Sequence, residues 1–519
     1  MTPIELSIFI SRVEAICQEM GVVLRRAAFS PNIKDRLDFS CALFDSRGEL
    51  FAQAAHIPVH LGSMAYAMSA IVADLDWQAG DVLALNDPFL GGTHLPDVTL
   101  ISPLFYRGKL LAFVANRAHH ANIGAKSPGS MPISRFLDEE GLLIPPTFLM
   151  RAGRPVREEM DKLAAIDRRD DLTEGTVLGD FSAQISANRV GLQRLESLLD
   201  ADGQESFLSG IGEINDYGER LARSGLSTIP SGSYSFADVM DDDGCGSEEI
   251  VIAASIEVAA DSVRLDFSGS SGQVRGNVNC PISVTAAAVF YVFRCLLPEH
   301  APACAGTFRR ITIHAPEGSL INATRPAAVA AGNVETSMRI VDVVLGALVQ
   351  AIPDLIPAAS QGTMNNVAMG SRGTAGFWDY YETVGGGTGG HALGPGLAAV
   401  QSHMTNTLNT PIESVEMHYP LRIRRYQLRE GSGGAGAHAG GDGLIREFEF
   451  LTPTEVTLLT ERRTHAPWGL NGGEPGETGQ NLLNGQPVQG KCQFTARTAD
   501  RLTIISPGGG GWRAQTQAG

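Results

Sequence analysis

The chain opens with apolar side chains that recur at intervals of three and four residues. The apolar positions are Leu6, Phe9, Val13, Ile16, Met20 and Val23. This is the period of an amphipathic helix, and Pro3 suits a first helical turn because proline lacks the N–H that a first turn leaves unpaired. The pattern therefore predicts a long opening helix with one buried face.

After this helix the apolar residues fall into short runs bounded by turn residues, which is typical of strands. The predicted strands cover residues 39–45, 50–52, 81–85, 98–105 and 110–115. The first two form a hairpin, and a short helix is expected over 63–73. Two polar loops, at 86–97 and 116–135, connect the later strands.

The rest of the chain alternates between the two periods. Helical patterns cover 156–225, 284–297 and 334–352, and strand patterns cover 234–240, 250–258, 262–267, 444–451 and 456–461. Glycine contributes 59 of 519 residues, and its stretches in the last third lie between strands, so we expect tight turns rather than flexible linkers. The sequence predicts a mixed α/β fold (α+β) that is rich in strands.

The predicted organisation has several interleaved lobes with weak boundaries. Residues 1–155 form an N-terminal α/β lobe, 156–228 a helical segment, 229–330 a strand-rich segment and 331–519 a glycine-rich α/β lobe. No linker of low complexity separates them. We therefore expect one interleaved unit over residues 1–519.

Composition narrows the possible partners and compartments. The chain has 40 basic and 57 acidic residues, a net charge of −17, which argues against nucleic-acid binding because phosphates call for clustered Lys and Arg. No apolar run approaches the roughly 20 residues that cross a membrane. Seven scattered cysteines and an N-terminus without a basic signal segment favour the cytoplasm.

Imidazole and carboxylate side chains concentrate in the two polar loops. His94 and Asp97 lie three residues apart just before a predicted strand, and His119 lies at the end of the next one. A hairpin would return His119 beside the first pair, where the three side chains would suit Zn, Mn or Fe and leave positions open for water or substrate. The alternative is that these histidines only hydrogen-bond the loop backbone, and the pattern alone favours neither.

A second histidine pair, His56 and His60, has a spacing that suits a metal only on a helix. Pro58 lies between them and argues against a helix there. We therefore expect structural or substrate-contacting roles for this pair.

Asn333 precedes the apolar positions of the helix predicted over 334–352. Asparagine is a favoured N-cap, since its side-chain oxygen accepts a backbone N–H of the first turn. Capping is the expected role, and a side chain facing a cavity is the alternative.

Seven motifs occur in order over nearly the whole chain. They cover residues 24–34, 38–42, 56–64, 86–97, 119–132, 332–336 and 431–443. With these motifs the chain resembles the hydantoinase B/5-oxoprolinase family, which includes the B subunits of N-methylhydantoinases and the related caprolactamases and ketone carboxylases.

This resemblance implies a metal held by His94, Asp97 and His119, because the ketone carboxylases of the family use a His–x2–Asp pair and a later His. His120, Asp87 and His60 are then candidates for acid–base roles or for supporting the ligands. The metal itself stays open between Zn and Mn, with Fe as a further possibility.

The resemblance also implies a partner. Members pair with a hydantoinase A-type subunit that binds ATP and Mg and is thought to activate a carbonyl or lactam by phosphorylation. The chain itself lacks the G-x-x-x-x-G-K-[ST] phosphate loop. A hetero-oligomer such as α2β2 is expected.

The implied function is that of a B-type subunit in an ATP-dependent cyclic-amide hydrolase, which opens a lactam, hydantoin or 5-oxoproline ring. The chain is considerably shorter than the corresponding acetone carboxylase chain, which favours hydrolysis. The alternatives are a component of an ATP-dependent ketone carboxylase and a non-catalytic scaffold for the A-type subunit.

Overall fold

The computed structural model describes residues 1–54, 56–167, 176–372 and 377–515. Its helices and strands confirm a mixed α/β fold with several sheets. The helices of these residues are α1 (Pro3–Ala27), α2 (Pro31–Lys34), α3 (Pro58–Ala73), α4 (Arg157–Asp167), α5 (Thr176–Asp202), α6 (Gln204–Leu226), α7 (Ile282–Cys295), α8 (Ser337–Leu348) and α9 (Ile412–His418).

A seven-stranded sheet forms the centre of the N-terminal part, with strand order β2-β1-β5-β4-β3-β6-β7. Its strands are β1 (Phe39–Asp45), β2 (Leu50–Gln53), β3 (Val82–Leu85), β4 (Asp97–Tyr106), β5 (Lys109–His119), β6 (Thr147–Arg151) and β7 (Arg154–Pro155). Each neighbouring pair in this sheet is antiparallel.

A four-stranded sheet with the order β11-β10-β9-β8 follows. Its strands are β8 (Gly232–Asp242), β9 (Glu248–Val258), β10 (Val263–Asp266) and β11 (Ile311–His314). The C-terminal part contains two further sheets, of orders β13-β12-β16-β19 and β14-β15-β20-β17-β18. Their strands are β12 (Asn366–Ser371), β13 (Trp378–Glu382), β14 (Leu421–Arg429), β15 (Gly443–Phe450), β16 (Thr454–Leu459), β17 (Gln480–Leu483), β18 (Gln486–Pro487), β19 (Lys491–Ala496) and β20 (Arg501–Ile505).

Helices cover both faces of the seven-stranded sheet. Val114 of β5 packs in one apolar core with residues of α1 and α5, whereas its neighbours Phe113 and Ala115 pack in another core with residues of α3. Successive side chains of a strand point to opposite faces. The odd-numbered positions toward the end of β5, including His119, therefore face α3.

Most predicted elements are confirmed with small changes in their bounds. The opening helix, the β1–β2 hairpin and strands β3 to β5 form as the pattern predicts, and β5 continues to His119. The pattern over 156–225 is divided among α4, α5 and α6; its residues 168–175 lie outside the described residues.

Two helix starts differ from the predictions. α3 begins at Pro58 rather than at residue 63, because proline at the first position of a helix removes no intrahelical hydrogen bond. The expectation that Pro58 excludes a helix at His60 was therefore wrong. α8 begins at Ser337, after a π-helical turn over Gly332–Thr336.

One apolar core contains residues from all four predicted segments. It includes Val59, Leu226, Ile256, Met338 and Leu459, each buried. Because the four segments share this core, the core does not mark where one segment ends and the next begins. The predicted boundaries between them stay a prediction. In the described part of the chain no helix combines the length and apolar character needed to cross a bilayer.

A buried ion pair connects the two C-terminal sheets. Arg446 of β15 donates to both carboxylate oxygens of Glu382 of β13, at 2.7 and 2.9 Å, and both side chains are fully buried. Removing one partner would leave the other as an unpaired charge that is buried away from water.

We predict that Glu382→Gln lowers the free energy of unfolding by about 3–5 kcal/mol, because Arg446 is left uncompensated. Replacing both partners (Glu382→Leu with Arg446→Met) should recover most of that loss. Denaturant unfolding of the parent and both variants measures this. A loss below about 1 kcal/mol in Glu382→Gln, in the range of an exposed pair, contradicts the prediction.

Candidate metal centre

The register of β4 and β5 brings the three predicted ligands together. Asp97 pairs directly with His119 across the two strands, and His94 lies in the turn that leads into β4. The donor atoms of the three side chains all lie within 4.8 Å of one another. The side chains are buried, with exposed fractions of 0% for His94 and Asp97 and 2% for His119.

The donor atoms form a nearly equilateral triangle. Oδ1 of Asp97 lies 3.0 Å from Nε2 of His94 and 3.0 Å from Nδ1 of His119. The two nitrogens are 3.2 Å apart. Neighbouring ligands of an octahedral ion with bonds of about 2.1 Å are about 3.0 Å apart, so the triangle has the size of a three-ligand face.

The backbone determines which nitrogen of His94 is available. Nδ1 lies 3.2 Å from the carbonyl oxygen of Ala330, to which it donates, so the lone pair of the neutral ring is on Nε2. That lone pair faces the Asp97 carboxylate. Nε2 of His94 and Oδ1 of Asp97 are both electron-rich and lie 3.0 Å apart. They require a cation between them, either a proton or a metal ion.

The second oxygen of Asp97 has its own donors. Oδ2 accepts from Oγ1 of Thr93 at 2.5 Å and lies 3.1 Å from Nε2 of His60. Burial opposes the charge of Asp97, but the neighbouring His94 and His60 hold the pKa of this carboxyl well below its usual range. Asp97 is therefore an anion at neutral pH.

His60 comes to this carboxylate from the first turn of α3. Its Nδ1 lies 3.4 Å from Oγ of Ser40, and its Nε2 lies 3.8 Å from Asp38. The structure thus places His60 next to the three predicted ligands, in contact with the carboxylate of Asp97. An acid–base role for His60 stays a prediction.

His119 is held from the C-terminal part of the chain. Its ring stacks on Tyr381 of β13 with centroids 4.9 Å apart, and the guanidinium of Arg36 lies 4.8 Å from the centre of the same tyrosine ring. Burial lowers the pKa of His119. Its Nε2 is buried and has no hydrogen-bond partner among the described residues.

The pattern along the chain did not assign Asn333 to this site. Its Nδ2 lies 3.2 Å from Nε2 of His94 and 3.4 Å from Oδ2 of Asp97. The residue is in the π-helical turn, and the N-cap position of α8 belongs to Thr336. The expected capping role is therefore wrong, and the alternative of an inward-facing side chain holds.

His120 lies on the other face of the sheet. Its Nε2 is 2.9 Å from Oε1 of Gln184, its ring packs on Phe181 of α5, and it lines a cavity of about 350 Å³ together with Ser30 and Asp180. None of these contacts involves the three donor atoms. Its acid–base role stays a prediction.

Asp87 also contacts other groups. Its carboxylate pairs with Arg325 and accepts the backbone N–H of Phe89 at 3.1 Å, which caps a short turn. His56 accepts the backbone N–H of Cys41 at 3.1 Å, and burial lowers its pKa to about 4. These contacts are structural, and a catalytic role for Asp87 stays a prediction.

Glu140 supports the segment that orients His94. Its Oε1 accepts the backbone N–H groups of Val329 and Ala330, each at 2.9 Å, and the hydroxyl of Ser134 at 2.7 Å. Burial raises the pKa of Glu140 to about 7, although these hydrogen bonds and His94 oppose the rise.

These features define a protein with a buried two-histidine, one-carboxylate centre between an N-terminal sheet and the C-terminal part of the chain. The family model for hydantoinase B/oxoprolinase matches residues 2–514. The chain belongs to the hydantoinase B/oxoprolinase family.

Relatives agree with this assignment. The chain is 40% identical to 5-oxoprolinase 1 of Arabidopsis thaliana over 98% of its own length, but it spans only 42% of that protein. It is 30% identical to a Pseudomonas protein named as one subunit of a D-/L-hydantoinase, covering 98% of this chain and 90% of the relative. The crystal structure of the ATP-dependent caprolactamase from Pseudomonas jessenii is similar, with a TM-score of 0.90 and 28% identity over 99% of this chain and 91% of that one.

The raised pKa of Glu140 predicts a pH-dependent stability. A glutamate in the unfolded chain titrates near about 4.3, so between that pH and about 7 the folded state binds more protons. The free energy of unfolding should therefore fall as the pH rises through this window and level off above it.

Glu140→Gln keeps the acceptor oxygen and carries no charge, so it should remove this part of the pH dependence. Denaturant unfolding from about pH 5 to pH 8 measures the effect, with the exposed Glu158→Gln as the matched control. A Glu140→Gln variant with the same pH slope as the parent contradicts the prediction.

Proposed function

We propose that this chain is the metal-containing subunit of an ATP-dependent enzyme that hydrolyses a cyclic amide, working with an ATP-binding partner subunit. The observation that carries the proposal is the buried triangle of His94, Asp97 and His119 in a chain of the hydantoinase B/oxoprolinase family. The names of the relatives support the reaction class, since they include a 5-oxoprolinase, a hydantoinase subunit and a caprolactamase.

The residues present fit a divalent metal ion. The triangle has the size of a three-ligand face, and Nε2 of His94 already faces the carboxylate of Asp97. Nitrogen and carboxylate donors suit Zn, Mn or Fe. Such an ion, when bound, supplies a Lewis acid that polarises a carbonyl oxygen and lowers the pKa of a coordinated water.

The protein's own groups prepare this chemistry. Thr93 and His60 hydrogen-bond Oδ2 of Asp97 and keep Oδ1 directed into the triangle. Because all three donor side chains are buried, bulk water is excluded and charges act more strongly than in solution. With Nδ1 of His119 on the metal, the ring proton would be on Nε2, which has no partner among the described residues and could then donate to a substrate oxygen.

His120 is positioned for proton transfer outside the metal triangle. It follows His119 directly and lines the cavity of about 350 Å³, a volume typical of small-ligand sites. Its Nδ1 is buried with no partner among the described residues. The three donor residues do not line this cavity, so we assign it to the approach path of the substrate, with His120 as the group that exchanges protons with the amide nitrogen.

In this proposal ATP is bound and used by the partner subunit. An amide carbon is a poor electrophile, and phosphorylation of the amide oxygen by the A-type subunit would activate it for attack by water. The relative from Pseudomonas is named as a subunit, which supports a hetero-oligomer. ATP and Mg would then bind to the partner, and localisation in the cytoplasm follows from its ATP supply.

We predict that ring opening of hydantoin, 5-oxoproline or caprolactam occurs with ATP only when this chain and a hydantoinase A-type subunit are mixed. His94→Ala and Asp97→Asn should lower kcat by about a hundredfold or more, because several kcal/mol of transition-state stabilisation are lost. Both should also remove the bound metal, measured by inductively coupled plasma mass spectrometry. The exposed His314→Ala serves as the control.

Ring opening by this chain alone without nucleotide would contradict the proposal. Full activity in His94→Ala would support the scaffold alternative instead. A requirement for bicarbonate, with its carbon found in the product, would support the carboxylase alternative.

A further inference from the structure

The π-helical turn over Gly332–Thr336 holds Asn333 against the ligands with little freedom to move. A Cβ on Gly332 would lie 1.8 Å from the carbonyl oxygen of Asn279, so only glycine allows the chain to pass there. The hydroxyl of Thr336 donates to the carbonyl of Val278, and Ser337 donates to the carbonyl of Asn333 at 2.6 Å. Single π-helical turns are frequent at functional sites.

The amide of Asn333 has no satisfactory partner once a cation occupies the triangle. Its Nδ2 is directed at Nε2 of His94, 3.2 Å away, whose lone pair the cation takes. Its Oδ1 is buried and has no hydrogen-bond partner in the described part of the chain. The other contact of Nδ2, with Asp97, is long at 3.4 Å.

Rotating the side-chain amide of Asn333 by half a turn exchanges its oxygen and nitrogen and resolves this conflict. The two ends of a primary amide have nearly the same size and shape, so the oxygen fits where Nδ2 now lies. At that position it is 3.2 Å from Nε2 of His94, close to the spacing of about 3.0 Å between neighbouring ligands of an octahedral ion. Amide oxygens are established ligands of divalent cations.

We infer that Asn333 is the fourth protein ligand of the metal ion, through its side-chain oxygen. This inference rests on the metal centre of the proposed function. It makes the ligand set two imidazole nitrogens, one carboxylate oxygen and one amide oxygen. A six-coordinate ion then keeps two positions for water or substrate rather than three.

Metal binding by the purified chain tests the inference without catalysis. Metal-free protein is titrated with Mn²⁺ as the probe, the free ion is followed by electron paramagnetic resonance, and bound water is counted from the broadening caused by ¹⁷O-labelled water. Asn333→Leu has nearly the same shape without the oxygen. It should weaken Mn²⁺ binding by about tenfold or more and add one bound water molecule.

Asn333→Asp keeps an oxygen at this position and adds a negative charge, so it should bind Mn²⁺ at least as tightly as the parent with an unchanged water count. Thr336→Val is the matched control, because it removes a hydrogen bond of the same turn without touching the ligands, and it should bind like the parent. Thermal unfolding of each metal-free variant shows whether the fold is retained.

An Asn333→Leu variant with the parent's affinity and water count overturns the inference and leaves the proposed function intact. A Thr336→Val variant as weak as Asn333→Leu, with the parent's water count in both, also overturns it, since a loosened turn then explains the loss. A parent chain that binds no Mn²⁺ overturns both the inference and the metal part of the proposed function.

Discussion

The site depends on the anionic carboxylate of Asp97, which is buried without access to water. A charge in such a place is very costly unless opposite charge and hydrogen bonds surround it. The residues around Asp97 meet this requirement: the pairing of β4 with β5 brings His119, the turn before β4 brings His94, and α3 brings His60. A cation in the triangle, either a proton on His94 or a bound metal ion, completes the compensation of this charge.

The sheet keeps two polar clusters apart. The three candidate metal ligands lie on the face toward α3, whereas His120 lies on the face toward α5 with Gln184 and the cavity. His119 and His120 are consecutive at the end of β5 but belong to different clusters. In the proposed function, the residue that exchanges protons and one ligand of the metal are therefore neighbours in the sequence on opposite faces of the sheet.

Local patterns predict the parts of this site that lie close together in the sequence. The spacing of His94 and Asp97, with a hairpin that returns His119, needs only the strand pattern and antiparallel pairing. Asn333 and Tyr381 reach the site from more than two hundred residues away in the sequence. The periodicity of a short segment contains no information about such a contact. The helix at His60 was not predicted for a different reason, because Pro58 starts a helix as readily as it interrupts one.

Long-range contacts connect the candidate metal centre with the C-terminal part of the chain. Tyr381 stacks on His119 and donates to Asn366 at 2.6 Å. Asn366 in turn donates to Glu335 at 2.6 Å, two residues after Asn333 in the π-helical turn. The candidate metal centre and the C-terminal part are thus joined by contacts that run from His119 through Tyr381 and Asn366 to Glu335. Neither half of the chain therefore contains the complete cluster.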